Sequence, residues 1–289
     1  MRPSRRSFLL GAGSAAAGLA VGASGLLPGA EAAEEQFTVA QRRHLQASAA
    51  AAQGMSVARL GTHRVVWSMP VSRPVAALTF DDGPTPEYTG AVLDALDRAG
   101  VTATFNVMGW NAARHPGLLR EVVAAGHELG NHTWTHQDLT YLSAAETREQ
   151  LIRCRDEVAA VVGAPLTCFR PPRGQVTGQA LQVAAELGYD TYIWSCTRGP
   201  DELDSVDAIA AYLGSTVDAG DVVCLHDGIG RGTFSPTARF ARDLAHRRDL
   251  EVAALPEALM RIADRGISLV SATQMLALSD AEQAAAVAG

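Results

Sequence analysis

Seven strand-like runs, set apart by stretches with helix punctuation, constrain this chain more than any other feature. They occupy residues 75–80, 102–108, 127–132, 166–170, 190–196, 221–226 and 266–270. Between them, Thr85-Pro86 reads as an N-cap with proline at the first helical position, and Gly100 as the stop. Ser143-Ala144-Ala145-Glu146 is a capping box whose helix ends at Gly163, and Ser235-Pro236 opens a later helix. The alternation predicts an α/β fold around a mainly parallel sheet. Asp81, Asp82, His132, Arg170, Trp194 and His226 fall at or just past the C-terminal ends of these runs. In an open sheet, strands so far apart in order would not meet. A barrel gathers those ends on one face, so a closed or nearly closed seven-stranded barrel is expected.

No linker-like Pro/Gly/Ser run or internal repeat interrupts residues 70–278, which read as one domain; residues 279–289 read as a loose tail. At the other end, Ser4-Arg5-Arg6-Ser7-Phe8-Leu9-Leu10 leads into an uncharged Gly/Ala/Ser-rich stretch and then Ala30-Glu31-Ala32. An arginine pair before a mildly apolar segment and a small-x-small site resembles a twin-arginine export signal. Residues 1–32 are therefore expected to be a signal peptide and 33–63 an N-terminal extension. Export through the twin-arginine machinery to the cell envelope or the medium is the expected localisation. All 24 basic residues are arginine, which excludes a Schiff-base lysine, a phosphate-loop lysine and a lysine general base. The formal charge of −7 without basic runs argues against a nucleic-acid partner. Cys154, Cys168, Cys196 and Cys224 lack the Cys-x-x-Cys spacing of a zinc site. Export permits one or two disulfides among them, but Cys168, Cys196 and Cys224 lie in strand-like runs and read rather as free, buried, small hydrophobes.

Four fragments carry the chemistry. Thr79-Phe80-Asp81-Asp82-Gly83-Pro84 ends an apolar run on two adjacent carboxylates. His132-Thr133-Trp134-Thr135-His136 sets two imidazoles four residues apart, which on a helical turn would share one face. One carboxylate and two imidazoles make the ligand set of a catalytic metal with open positions, leaving a second carboxylate beside it to take a proton from water. In Arg170-Pro171-Pro172-Arg173-Gly174 the two prolines stiffen the backbone and aim the Arg173 N–H, as an oxyanion hole requires, while Arg170 can keep a carboxylate ionised. Val222-Val223-Cys224-Leu225-His226-Asp227 ends a run on a histidine able to protonate a leaving group.

In this order, over about residues 64–276, the fragments resemble the successive motifs of the polysaccharide deacetylase family, carbohydrate esterase family four. The resemblance implies a deformed, TIM-like (β/α)7 barrel. It implies Asp81 as catalytic base and Asp82, His132 and His136 as ligands of one divalent metal ion; that set suits zinc first, with cobalt and nickel not excluded. It further implies Arg170 orienting and ionising Asp81, the Arg173 N–H holding the oxyanion, Leu225 lining an acetyl pocket and His226 as general acid. The expected activity is hydrolysis of N-acetyl groups on an amino-sugar polymer or oligomer. The rival readings are an O-acetyl xylan esterase, a small-amide hydrolase and a sugar-binding barrel without turnover. No partner beyond the acetylated carbohydrate and the export machinery is expected.

Two departures from the family pattern bear on mechanism. Arg173 stands where the family usually has tyrosine, adding a cation to the groove wall. After the fifth run, Trp194-Ser195-Cys196-Thr197-Arg198-Gly199-Pro200-Asp201 puts Thr197 where the family places the aspartate that tunes the general acid. Asp201, on a longer loop, is a candidate substitute if that loop folds back over the barrel mouth and a solvated loop residue otherwise, and Trp194 is a candidate wall for a sugar ring. His127 reads as structural.

Overall fold

The chain enters the sheet with a two-residue strand, Val65–Val66 (β1), and then the fully buried Val75–Asp81 (β2). There follow Thr89–Ala99 (α1), Thr104–Val107 (β3), Gly109–Arg114 (α2), Pro116–Ala124 (α3), Glu128–Asn131 (β4), Ala144–Val162 (α4), Cys168–Phe169 (β5) and Gly178–Glu186 (α5). Asp190–Tyr192 (β6), Cys196–Thr197 (β7), Val206–Thr216 (α6), Val222–His226 (β8), Arg239–Asp264 (α7), Ser268–Val270 (β9) and Ala272–Ala288 (α8) complete the order. This computed structural model describes residues 62–230 and 239–288; the expected signal peptide, most of the extension and the helix start at Ser235-Pro236 lie outside them.

Every strand pairing is parallel, in the order β1-β6-β5-β4-β3-β2-β8-β7, with β9 added to the start of β2. The chain runs from β6 into β7 through residues 193–195, so the two flanks of the sheet are joined covalently and the sheet curls into a deformed barrel. Helices cover its outside, and between the layers lies the main core, where Phe80 and Phe105 stack at 5.2 Å. All four cysteines are free and buried. No described helix is long and apolar enough to cross a membrane.

The local punctuation explains most boundaries. Ser143 accepts from the Glu146 N–H while the Glu146 carboxylate accepts from the Ser143 N–H, and Gly163 closes α4 at φ 67°. Gly100 closes α1 at φ 63°, but that helix starts at Thr89 and not at Thr85. The Thr85 hydroxyl donates to the Asp227 carbonyl at 2.7 Å and does not serve as a cap. The run at 190–196 is likewise broken into β6 and β7. The carbonyls of Tyr192 and Ile193 accept from the Arg170 guanidinium, at 3.1 and 2.8 Å, and are lost to strand pairing there. Residues 279–288 are not a loose tail: α8 runs through them, tied back by Ser279 to the Pro70 carbonyl and by Asp280 to Arg64.

Candidate active site

The C-terminal ends of the strands open into a cavity of about 670 Å³ lined by Asp81, Asp82, His132, His136, Arg173, Trp194, His226, Gly230, Leu244 and Arg248. Each strand delivers its polar residue just past its last apolar side chain, so the core fixes the backbone from which the site projects. Among the described residues, the non-glycine positions with left-handed backbone are Asp82 (φ 79°), Thr133 (φ 68°), His136 (φ 58°) and Arg173 (φ 57°). All four lie in the site or between its residues, where such strain is tolerated when surrounding structure enforces it. His132 and His136 do not share a helical turn; a loop with left-handed steps at Thr133 and His136 brings the rings within 5.0 Å. Glycine is required overhead, since a Cβ on Gly230 would sit 2.6 Å from the His136 ring.

Asp82 Oδ1 faces His132 Nε2 at 3.5 Å and His136 Nε2 at 3.4 Å. The three ligand atoms lie within 4.8 Å of one another and all three residues are buried. His132 Nδ1 lies 2.8 Å from the Arg170 carbonyl, which fixes the ring and leaves Nε2 for the trio. Burial pushes His136 down to about 4, so this imidazole is neutral, the form that ligates metals. Burial opposes ionisation of Asp82 as well, but His136 and His132 hold it well below the usual carboxylate range. Asp82 Oδ1 is buried with no hydrogen-bond partner. An orphaned oxygen facing two imidazole nitrogens is costly unless a cation completes it, so the residues fit a divalent metal ion.

Asp81 is held differently. Its Oδ1 accepts from Asn106 Nδ2 at 2.7 Å and Arg170 Nη1 at 2.8 Å, while Oδ2 faces His132 and the Cys224 thiol. Arg170 is fully buried, and it also donates to Thr79 and to the Tyr192 and Ile193 carbonyls. Burial would raise the Asp81 carboxyl, but the Arg170 guanidinium, with His132 and His226, keeps it below its ordinary value. His226 sits directly across from Asp81 in the β2–β8 register. Behind the pair, burial and the neighbouring Asp82 and Asp81 push Asp227 up to about 7, although Thr89 and the Gly83 N–H hydrogen-bond it.

The structure brings Asp81, Asp82, His132, His136, Arg173, Trp194 and His226 around one cavity, with Arg170 directly beneath. Two expectations are corrected. Leu225 is buried in the core, 2% exposed, because strand alternation turns Cys224 and His226 toward the site and the residue between them away. Asp201 does not reach His226: its carboxylate is paired with Arg247 and is largely exposed. The carboxylate on His226 is Glu251 of α7, with Oε1 3.1 Å from Nδ1. Sequence reading missed Glu251 and its partner Arg248, though a signal existed. Both occupy the buried stripe that continues through Leu255, Leu259 and Ile262, and charges on an apolar helix face demand partners. Trp194 lies over the Gly174 backbone as a half-buried wall of the cavity. His127 accepts from the Ala103 N–H and lies against Phe105, a structural setting.

The model of the polysaccharide deacetylase family matches residues 68–192, which include Asp81, Asp82, His132, His136, Arg170 and Arg173. A peptidoglycan-N-acetylglucosamine deacetylase of Bacillus cereus is 32% identical over 217 residues, 74% of this chain and 94% of that protein. A chitooligosaccharide deacetylase of Sinorhizobium fredii is 35% identical over 202 residues, 70% of this chain and 91% of its own length. Among solved structures, the Bc1960 peptidoglycan N-acetylglucosamine deacetylase superposes with a TM-score of 0.64 at 27% identity, covering 75% of this chain and 95% of that one.

Proposed function

The chain belongs to the polysaccharide deacetylase family and is a hydrolase of N-acetyl amide bonds, and from that premise we propose that it is an exported, metal-dependent deacetylase of amino-sugar polymers or oligomers. The observation that carries the reading is the orphaned Asp82 Oδ1 between two imidazoles, next to an ionised Asp81 that faces His226 across paired strands. A divalent cation held by Asp82, His132 and His136, zinc by the chemistry of the set, supplies Lewis acidity toward a carbonyl and toward water.

The protein's own groups do the rest. Asp81 takes the proton of the attacking water on Oδ2, since Arg170 and Asn106 engage Oδ1 and fix the carboxylate plane. The main-chain N–H of Arg173, on its left-handed turn after two prolines, donates to the oxyanion that develops on the acetyl carbonyl. His226 passes a proton to the departing nitrogen, the C–N bond breaks, and acetate and a free amine leave. The cavity is of a size suited to an acetamido sugar, and Trp194 offers a face for its ring. The arginine pair and Ala-x-Ala site at the chain start support export, which would put the enzyme where such polymers are met.

The test is acetate release from chitin oligomers, peptidoglycan, acetylxylan and small amides, with metal analysis alongside. Release from the N-acetylated amino sugars in preference to the other two supports the reading; preference for acetylxylan or small amides overturns the substrate class. The ligand set has its own test. His132→Ala leaves two ligands, and the purified variant is expected to lose most of its metal with activity falling in parallel. A full equivalent of metal in that variant would refute the assignment.

A further inference from the structure

The ion pair Arg248–Glu251, one turn apart on α7, is almost wholly buried, with side chains 7% and 1% exposed. Each of its polar ends is spent on the site. Glu251 Oε1 accepts from the His226 main-chain N–H and lies 3.1 Å from His226 Nδ1, while Oε2 accepts from Arg248 Nη1 at 3.1 Å. Arg248 Nε donates to the Gly228 carbonyl at 2.9 Å, and its Nη2 lies 3.8 Å from Asp82 Oδ2. A buried carboxylate costs several kcal/mol unless paired. A helix carrying only packing duties would place an apolar side chain at each of these positions, as it does at Leu255 and Leu259.

We propose that Glu251, seated by Arg248, is the positioning residue that holds His226 in the Nδ1–H tautomer with Nε2 turned to the cavity, the task that Thr197 cannot perform and Asp201 does not reach. The consequence for turnover rests on the deacetylase reading; the tautomer does not. With both backbone and ring of His226 tied to one carboxylate oxygen, the imidazole cannot rotate without breaking a charge-assisted hydrogen bond. The charged groups facing His226 are Asp81 from β2, Asp82 from the following turn, and Glu251 with Arg248 from α7; Asp227 adjoins it in sequence. Arg198 lies near enough to act on Glu251. Glu251 is the group among these hydrogen-bonded to the ring. Arg248 extends the arrangement to Asp82, so one helix braces both sides of the cavity.

The test uses the full chain loaded with zinc. Glu251→Gln is expected to lower kcat on an N-acetylglucosamine tetramer by about 10–100-fold, the usual effect of removing an outer hydrogen-bond partner of this kind. KM and metal content should stay within about twofold of the parent protein. Glu251→Asp keeps a carboxylate acceptor on α7 and should recover part of the kcat lost in Glu251→Gln. A readout independent of turnover is the low-field proton signal of a carboxylate-bonded imidazole, assigned by its loss in His226→Asn. It should be present in the parent protein and absent in Glu251→Gln. Unchanged kcat in folded, metal-loaded Glu251→Gln, or persistence of the low-field signal, overturns the proposal. A loss of kcat that merely tracks lost metal or lost fold does so too. Absence of acetate release by the parent protein on every substrate, with the low-field signal behaving as expected, overturns the deacetylase reading and leaves the tautomer assignment standing.

Discussion

Asp81→Asn is expected to keep its metal while turnover falls by about 10²–10⁴, the usual contribution of a positioned general base. The substitution preserves shape, and an amide oxygen can still accept from Asn106 and Arg170, which now meet Oδ1. What disappears is a basic oxygen on the side facing His132 and the cavity. Asp82→Asn should behave in the opposite sense. Its Oδ1 faces the two imidazoles with no other partner, so metal content falls first and activity follows. Both variants need to be assayed below their unfolding transitions, because Asp81→Asn also removes the negative partner of a buried guanidinium. Metal analysis and kcat on the same preparations separate the two roles, and equal metal loss in both variants would show that the carboxylates act jointly as ligands.

Arg170→Met is expected to destabilise the protein by about 3–5 kcal/mol, the usual cost of leaving one member of a buried ion pair without its partner. Arg170 is fully buried and serves several acceptors at once: Asp81, the Thr79 hydroxyl and two main-chain carbonyls that no strand satisfies. Methionine fills part of the volume but donates nothing, so four acceptors lose a partner in a dry environment. Equilibrium denaturation of the metal-free protein reads the loss without interference from the site. A variant within 1 kcal/mol of the parent would mean that water reaches these acceptors and that the guanidinium is not the keystone of the barrel mouth. Activity should fall with stability, because Asp81 then lacks the cation that keeps it ionised.

Where sequence and physics coincide locally, the fold is legible. Strand-like runs locate β2, β3, β4 and β8 to within a few residues, and Gly100, Gly163 and the Ser143–Glu146 box mark helix ends where they stand. Departures arise where tertiary contacts outbid local preference. Thr85 gives up its capping role to a carbonyl 142 positions away, and the run at 190–196 breaks because Arg170 claims its carbonyls. Strand β1 has only two residues, Val65 and Val66, paired with Thr191 and Tyr192, too short for any periodicity to register. The site is legible to the same degree. Residues at strand ends converge as their positions require. His132 and His136 meet through left-handed backbone that spacing alone does not reveal. The error at Leu225 is one of alternation, and the one at Asp201 comes from looking for a carboxylate nearby in sequence. Glu251, 25 residues beyond His226, reaches it because α7 lies against β8.

One measurement bears on the central claim most directly: acetate and free amine released from N-acetylglucosamine oligomers by the purified chain, first stripped of metal with a chelator and then given one equivalent of zinc. The stripped protein should be inactive, and the reloaded protein should release the two products in equal amounts. Sustained release by the fully stripped protein, or none by the reloaded protein from any N-acetylated amino-sugar polymer, would contradict it.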